Sequence, residues 1–245
     1  MKKIVAAALL MVTSIMPLHA ETLTKVLADP DRSIADQKRD ARSRPDVVIE
    51  LLGIGEGDRV ADIFAGGGYY SELLGSVVSP GGDVLLHNNK AYLGFAAKAL
   101  DARFAKGAPP GVTRHDREVD DLDLGEGNLD AAMIIMSYHD LYHSSEGWPT
   151  IDVADFMGQI VKALKPGGRF LIVDHQGAVG TGSSAAQDLH RIDEAFARKD
   201  VESYGLKYVA SSDVLRNPDD DFSLSPFDPK VRGITDRFIL VFEKP

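Results

Sequence analysis

Short apolar runs alternate with longer amphipathic stretches along most of this chain. Apolar runs predict strands at 59–64, 84–87, 129–137 and 169–175, with another strand near 112–115, and helical spacing fits 69–78, 90–105 and 151–165 between them. Strands separated by helical patterns of 10–15 residues are typical of βαβ units and a parallel sheet. The strands are continuously apolar, which indicates that helices cover both faces of the sheet. The pattern therefore predicts an open doubly wound α/β domain.

The C-terminal third continues with a helix, two strands and a long polar segment. Leu189, Ile192 and Phe196 are spaced as the apolar stripe of one helix over 185–199. Strands are expected at 204–211 and 236–244, separated by a Pro-rich polar insert at 217–233. A segment that long inside a compact domain is more often functional or mobile than idle.

The N-terminus has the three-part pattern of a secretory signal over residues 1–20. Two lysines precede an apolar run from Ile4 to Met16, and a short segment then ends at Ala20, the expected cleavage point. The alternative is an uncleaved anchor. Cleavage predicts an exported, periplasmic protein with no stable membrane insertion, consisting of a single domain over 21–245. Its first part, 21–45, is expected to be a charged arm, either a solvated surface or a lid over a ligand.

Composition limits the partners of this domain. The 245 residues are 44% hydrophobic and 26% charged, with no cysteine, so a globular core without disulfides is expected. A net charge of -10 repels phosphate backbones and anionic headgroups, which argues against nucleic acid and membrane surfaces as partners. A small-molecule substrate remains, and the sequence does not indicate the oligomeric state.

The first predicted strand ends in DIFAGGG at 62–68, where an open α/β sheet usually binds its ligand. A phosphate-binding loop would need Lys and Ser/Thr after its last glycine, but two tyrosines follow. A dinucleotide site would need a third glycine where Ser71 stands, which makes that reading weak. The third candidate ligand is a nucleoside that carries an amino acid and no phosphate.

These residues resemble the class I S-adenosylmethionine-dependent methyltransferases. Asp62, Gly66 and Gly68 match the family's first motif, with Phe64 where its first glycine is usual. LKPGGRFLIVDH is similar to the family's fifth strand, and NLDAAMIIMSYHDLYH is similar to its fourth strand and the following loop. The GGGYY and YHD segments also resemble a group of exported predicted methyltransferases. The resemblance spans residues 45–243 and implies a Rossmann-like, mostly parallel seven-stranded sheet with an antiparallel last strand.

The resemblance implies that S-adenosyl-L-methionine is the cofactor, and it assigns roles at the end of the first strand. Asp62 would accept hydrogen bonds from the ligand's ammonium group, with a helix cap as the alternative role. Ala65 and Gly66–Gly68 would lie along the methionine part. Tyr69 would place an aromatic face near the sulfonium, unless it only packs against the sheet.

The same resemblance extends to the ends of the next strands. Asn88 stands where the family usually has an acid that holds the ribose hydroxyls, and it offers no charge-assisted hydrogen bond. A register shift of one residue would place His87 or Asn89 there instead. Glu118, or alternatively Asp116, would contact the adenine amino group. Ser137 would border the cofactor after the fourth strand.

Catalytic candidates follow the fourth strand. His139 would take a proton from the acceptor, oriented by Asp140, because an unperturbed imidazole titrates near neutrality. The alternatives are a histidine that only holds structure and an aspartate that caps a helix. His175, His190 and Arg191 are further candidates for the substrate side. No HExxH or close Cys/His spacing is present, so no metal ligands are predicted; a zinc site among the histidines at this end of the sheet is the alternative.

The favoured function is therefore methyl transfer by in-line displacement to a small-molecule acceptor. A signal peptide makes the supply of a cytosolic cofactor a question, and Phe64 and Asn88 depart from the family pattern. The first alternative is a non-enzymatic exported binder that has kept the fold. A nicotinamide-dependent enzyme is the second alternative.

Overall fold

A computed structural model describes residues 18–245. The apolar run of the predicted signal, Ile4–Met16, lies outside the described residues. The first described helix, α1 (Leu18–Leu27), includes Ala20, the predicted cleavage point. None of the described helices combines the length and the apolar character needed to cross a membrane.

Seven strands of the described chain form one sheet, in the order β3-β2-β1-β4-β5-β7-β6. Strands β1 to β5 pair in parallel, and β7 runs antiparallel to both of its neighbours. The predicted Rossmann-like sheet with an antiparallel last strand is confirmed. The strands are Arg59–Ile63 (β1), Asp83–Asn88 (β2), Val112–Asp116 (β3), Leu129–Ile135 (β4), Leu164–His175 (β5), Lys207–Ser212 (β6) and Arg237–Glu243 (β7).

Helices cover both faces of the sheet, as the continuous apolar strands predicted. Alternate residues of β1 enter different cores: Ile63 packs with Phe156 of one helix layer, and Val60 packs with Leu74 of the other. The remaining helices are Ile34–Ser43 (α2), Pro45–Leu52 (α3), Tyr69–Val78 (α4), Lys90–Phe104 (α5), Val153–Ala163 (α6), Ala185–Leu189 (α7) and Glu194–Ser203 (α8), with a single-turn 3₁₀ helix at His139–Tyr142.

The single helix predicted over 185–199 is wrong, because the chain breaks it into α7 and α8. His190 adopts a left-handed conformation with φ of 50°, and the next residues run beside the end of β5. There the amide of Ile192 donates to the carbonyl of His175 at 3.0 Å, and Asp193 then caps α8. Ile192 is buried, as its spacing suggested. It lies in an extended segment beside β5, however, and not on the apolar face of a helix.

The strand order reverses between β1 and β4, which brings the chain segments that follow these two strands to the same edge of the sheet. Ligands of doubly wound folds bind at this switch point. The backbone there is unusual: Phe64 and Met136, the first residue after β1 and after β4, both have φ of 54°. Non-glycine residues held in this region cost roughly 1–3 kcal/mol and cluster at functional sites.

Candidate active site

A cavity of about 480 Å³ opens at the carboxyl ends of β1 and β4. This volume lies within the range of about 300–1,000 Å³ common for small-molecule sites. Six of the sequence-predicted site residues line it: Ala65, Gly66, Gly67, Ser137, His139 and Asp140. The cavity also contains three left-handed non-glycine residues, Phe64, Met136 and His190, so local strain is concentrated around it.

The glycine loop after β1 presents one open backbone position. A Cβ on Gly66 would meet no atom of residues 18–245 within 4 Å, whereas a Cβ on Gly67 would lie 2.8 Å from Ala99 Cβ and one on Gly68 would lie 2.7 Å from Leu86 Cδ1. Gly67 and Gly68 are therefore needed for packing against α5 and β2. Gly66 is the glycine that leaves room for a ligand.

Asn88 holds this loop in place from the end of β2. Its Oδ1 accepts from the Gly66 amide at 2.8 Å, and its Nδ2 donates to the Gly66 carbonyl at 3.0 Å. Asn88 is fully buried, so both functions of its amide are used within the protein. Asn88 therefore fixes the conformation of the glycine loop and does not line the main cavity.

Asp62 lies beneath the loop and contacts the first turn of α4. Its Oδ2 accepts the hydroxyl of Ser71 at 2.6 Å, and the carboxylate is almost completely buried. Burial raises the pKa of Asp62 to about 6, although the Ser71 hydroxyl and the positive charge of Arg39 oppose the shift. Asp62 therefore contacts a side chain in the first turn of α4, and the cap position of that helix is Gly68.

Tyr69 is turned toward the N-terminal arm and not into the cavity. Its hydroxyl donates to Asp40 at 2.7 Å, and the Arg39 guanidinium lies 4.1 Å from the centre of its ring. The cation that lies against the aromatic face is therefore Arg39 of the protein itself, and Tyr69 is not positioned beside a ligand in the cavity. Arg39 also lines the cavity, so the arm covers one side of the candidate site.

Glu118 lies outside the main cavity. It borders a separate cleft of about 430 Å³, together with Asn88, Lys90 and Asp116. Its Oε1 accepts from the amide of Lys90 at 3.2 Å, at the start of α5. Asn88 borders this cleft and is hydrogen-bonded to Gly66, which lines the main cavity. The cleft and the main cavity are therefore adjacent.

His139 is held between two carboxylates. Its Nδ1 lies 2.8 Å from Asp174 Oδ1, its backbone amide donates to Asp174 Oδ2 at 2.7 Å, and its Nε2 lies 3.3 Å from Asp140 Oδ1. Burial disfavours the charged ring, but the two carboxylates outweigh it and raise the pKa of His139 to about 10. Burial also acts to raise the pKa of Asp140, yet the hydrogen bond to His139 holds it below its usual range.

An aromatic wall that the sequence reasoning missed completes the cavity. Tyr92, Phe95 and Trp148 line it, and the Tyr92 hydroxyl lies 2.5 Å from Ser137 Oγ and 2.7 Å from Asp140 Oδ2. Tyr92 and Phe95 come from the first turns of α5. A helix that follows a parallel strand begins at the edge of the sheet where ligands bind. Aromatic residues in the first turns of α5 could therefore have been predicted from the sequence to line the site.

Of the three further candidates, His175 and His190 line the cavity, and Arg191 does not. Arg191 is fully buried in a pair with Asp220. His190 lies beside His139 with the two rings nearly perpendicular and 5.4 Å apart. One nitrogen or oxygen from each of His139, Asp140 and His190 falls within 4.8 Å of the others, close enough to hold a metal ion.

No family model matches the chain. The ubiquinone/menaquinone biosynthesis C-methyltransferase UbiE of Pseudomonas paraeruginosa (strain PA7) is 25% identical over 178 residues, or 71% of this chain. The match spans 64% of that protein's length.

Two solved structures share the fold. A SAM-dependent methyltransferase from Aquifex aeolicus has a TM-score of 0.59 at 15% identity, covering 91% of this chain and 97% of that one. Geranyl diphosphate C-methyltransferase from Streptomyces coelicolor, solved with Mg²⁺, geranyl diphosphate and S-adenosyl-L-homocysteine, has a TM-score of 0.57 at 14% identity, covering 89% and 88%. The chain therefore has the Rossmann-like fold that class I methyltransferases share, and the relative and the two solved structures described here are methyltransferases.

Proposed function

We propose that this protein transfers a methyl group from S-adenosyl-L-methionine to a small apolar acceptor. One observation carries the proposal: a cavity of ligand size lies at the switch point of a methyltransferase-type sheet, against the open backbone of Gly66. The relatives and structural neighbours support it, because all those described above are methyltransferases. The fold alone would not support this function, since one fold can carry many functions and the site decides between them.

The residues around the cavity fit this cofactor, although not in every role that the resemblance assigned. The backbone at Ala65 and Gly66 would hold the methionine part, and the aromatic faces of Tyr92 and Trp148 would attract a sulfonium. When bound, S-adenosyl-L-methionine supplies a methyl group on a positively charged sulfur. Asp62 and Asn88 already bond to Ser71 and Gly66, so they would shape the loop and not contact the cofactor directly.

The chain's own contribution to the reaction is positioning and exclusion of water. Aromatic and aliphatic walls desolvate the cavity, and fixed geometry can supply roughly 7–11 kcal/mol of a barrier. Because its raised pKa keeps His139 protonated at neutral pH, His139 would orient Asp140 and would not act as the general base. The anionic Asp140 faces the cavity and favours a positive charge there.

The acceptor is proposed to be apolar because of the cavity rim. Phe95 and Phe227 line the cavity with 66% and 62% of their surfaces exposed, an unusual position for large apolar side chains. Ile135 and Met136 extend this apolar surface inward. The name of the UbiE relative places it in quinone biosynthesis, and an acceptor with an apolar ring would suit the same kind of wall.

Calorimetry with a matched pair of variants tests the proposal. Gly66→Ala places a methyl group in the open space of the cavity, and Gly127→Ala does the same at a distant loop with the same φ of 57° and equally open surroundings. Both variants carry the same backbone penalty of about 1–2 kcal/mol. We expect S-adenosyl-L-homocysteine to bind the wild type and Gly127→Ala, and to bind Gly66→Ala at least tenfold more weakly. No heat with the wild type at millimolar ligand would refute the proposal.

Export to the periplasm is proposed from the sequence pattern of residues 1–20. Cleavage after Ala20 would keep Leu23, which packs in the core against α4. The cofactor would then have to be supplied outside the cytosol. Mass spectrometry of the protein recovered from a periplasmic extract should show a chain that begins at Glu21, and an intact N-terminus would contradict this.

A further inference from the structure

Three side chains on one wall of the cavity form a group with the composition of a transition-metal site. His139 and Asp140 are consecutive residues of the 3₁₀ helix, and His190 follows α7. We propose that His139, Asp140 and His190 bind a divalent transition-metal ion, with Zn²⁺ as the best match. The proposal does not depend on methyl transfer.

The spacing of the ligand atoms fits one ion. Ligands 2.0–2.2 Å from a tetrahedral Zn²⁺ are about 3.3–3.6 Å from one another. Asp140 Oδ1 lies 3.3 Å from His139 Nε2 and 3.7 Å from His190 Nδ1. One ligand atom from each residue lies within 4.8 Å of the other two, so small side-chain rotations would bring all three onto one ion.

Neighbouring groups orient these ligands as they do in metal sites. Asp174 accepts from Nδ1–H of His139, which directs Nε2 toward Asp140, and the carboxylate of Asp174 is fully buried. A carboxylate behind a histidine is the usual support of a metal ligand. The Tyr92 hydroxyl lies against Asp140 Oδ2 and leaves Oδ1 facing the two histidines.

His190 supplies an independent observation. Its Nδ1 is buried and has no hydrogen-bond partner among the described residues, and its distance of 3.7 Å from Asp140 is too long for a hydrogen bond. A buried polar atom left without a partner costs about 1–3 kcal/mol. The residue is also held at φ of 50°, although it is not a glycine. An ion between His190 and Asp140 would satisfy the unpaired nitrogen.

The ligand types select the metal. Two imidazoles and one carboxylate suit Zn²⁺ and similar first-row ions, whereas Mg²⁺ and Ca²⁺ prefer oxygen ligands alone. Three protein ligands leave a fourth position of the ion open, as in catalytic zinc sites, and all three residues line the cavity. A water or an oxygen of a bound molecule would occupy that position.

Titration of the untagged full chain with metal ions tests the site. The protein is stripped with a chelator, dialysed, titrated with Co²⁺ while its visible absorption is recorded, and then challenged with Zn²⁺. We expect one Co²⁺ per chain with the intense bands of a four-coordinate ion, displaced by one Zn²⁺. Absence of stoichiometric binding at micromolar Zn²⁺ would overturn the proposal.

Two variants check the ligand set. His190→Asn keeps a residue that tolerates the left-handed backbone, and it should weaken Zn²⁺ binding at least tenfold. His143→Asn is the control, because His143 lies in the same cavity with its ring 4.6 Å from that of His190 but is not a proposed ligand. Its affinity should match the wild type. Equal affinity in His190→Asn and the wild type, or an equal loss in both variants, would refute the assignment, with circular dichroism confirming that each variant is folded.

Discussion

His87 shows at the scale of one residue how the end of β2 supports the glycine loop. Its Nε2 donates to the carbonyl of Arg117 at 3.1 Å, which leaves Nδ1 to accept from the amide of Phe64 at 3.4 Å. The ring is fully buried, and burial lowers the pKa of His87 to about 4. The neutral ring is therefore part of the folded loop.

This shift predicts a loss of stability in acid. An unfolded histidine titrates near 6.5, so the unfolded chain binds the proton more readily than the folded one. The contribution of His87 to the free energy of unfolding is therefore complete above pH 6.5. As pH falls from 6.5 toward 4, the protein should lose about 3 kcal/mol of that free energy through this group. Urea unfolding of His87→Gln between pH 4 and 7.5 should show a smaller acid loss than the wild type.

His143→Gln is the control for that series, because His143 lines the cavity and is not among the groups that shift the pKa of His87. It should keep the wild-type acid loss. Other buried groups titrate in all three proteins, so the difference between the curves isolates His87. Identical pH curves for His87→Gln and the wild type would contradict the prediction.

Asn88 allows a direct choice between the family pattern and the contacts in this chain. Asn88→Asp restores the acid that the family usually has, but it places a carboxylate oxygen about where Nδ2 now donates to the Gly66 carbonyl. Loss of that donor in a buried position should destabilise the protein by about 1–3 kcal/mol. We also expect weaker binding of S-adenosyl-L-homocysteine, measured by calorimetry, because the loop would shift.

The neighbouring Asn89→Asp is the control for this prediction. Asn89 caps α5 through its side-chain oxygen, which accepts from the Tyr92 amide at 2.9 Å, and an aspartate keeps that acceptor. Its stability and ligand binding should stay close to the wild type. Tighter ligand binding by Asn88→Asp would instead show that the ribose role of the family's acid is available here.

At the scale of elements, the end of β1 combines strain with packing. Phe64 stacks on Tyr92 with ring centres 4.6 Å apart and lies 5.6 Å from Phe156, while its backbone has φ of 54°. Phe64→Gly would restore the family's first glycine and relieve about 1–2 kcal/mol of strain. It would also remove a buried ring, at a cost of about 3–5 kcal/mol.

Because the lost packing exceeds the relieved strain, Phe64→Gly should be net destabilised by about 1–4 kcal/mol in urea unfolding. Phe64→Leu keeps the backbone strain and much of the apolar volume. Its stability should therefore lie between that of the wild type and that of Phe64→Gly. A Phe64→Gly protein as stable as the wild type would mean that the ring contributes little to the core.

The elements themselves were largely predictable because their signals are local. Apolar strands, helical spacing and the glycine turn all lie within about fifteen residues of sequence, and the strands and most helices appear where they were expected. The break at His190–Asp193 was not predictable from spacing, because it depends on pairing with β5.

Within the site, the sequence predicted which loops meet. It did not predict which side chains are already hydrogen-bonded to other groups of the protein. Asp62, Tyr69 and Asn88 each bond to a partner 9 to 29 residues away, and spacing alone does not reveal such contacts.

At the scale of the whole molecule, one buried ion pair joins the polar segment 217–233 to the sheet. Arg191 Nη1 and Nη2 lie 2.9 and 3.1 Å from the two carboxylate oxygens of Asp220, and both side chains are almost fully buried. Arg191 also donates to the carbonyls of Gln176, just after β5, and Leu224. Because Phe227 of the same segment lines the cavity, this pair connects the fold to the wall of the candidate site.

Breaking the pair should therefore loosen the segment as well as weaken the fold. Arg191→Met leaves the buried Asp220 carboxylate without its counter-charge, which should cost about 3–5 kcal/mol. Limited proteolysis should then cut within 217–233 faster than in the wild type. Arg198→Met removes an arginine from an exposed pair with Glu202 on α8 and from the face of the Tyr208 ring, and should cost at most about 1.5 kcal/mol. If the two variants unfold at the same urea concentration and resist protease equally, the segment is held by something other than this pair.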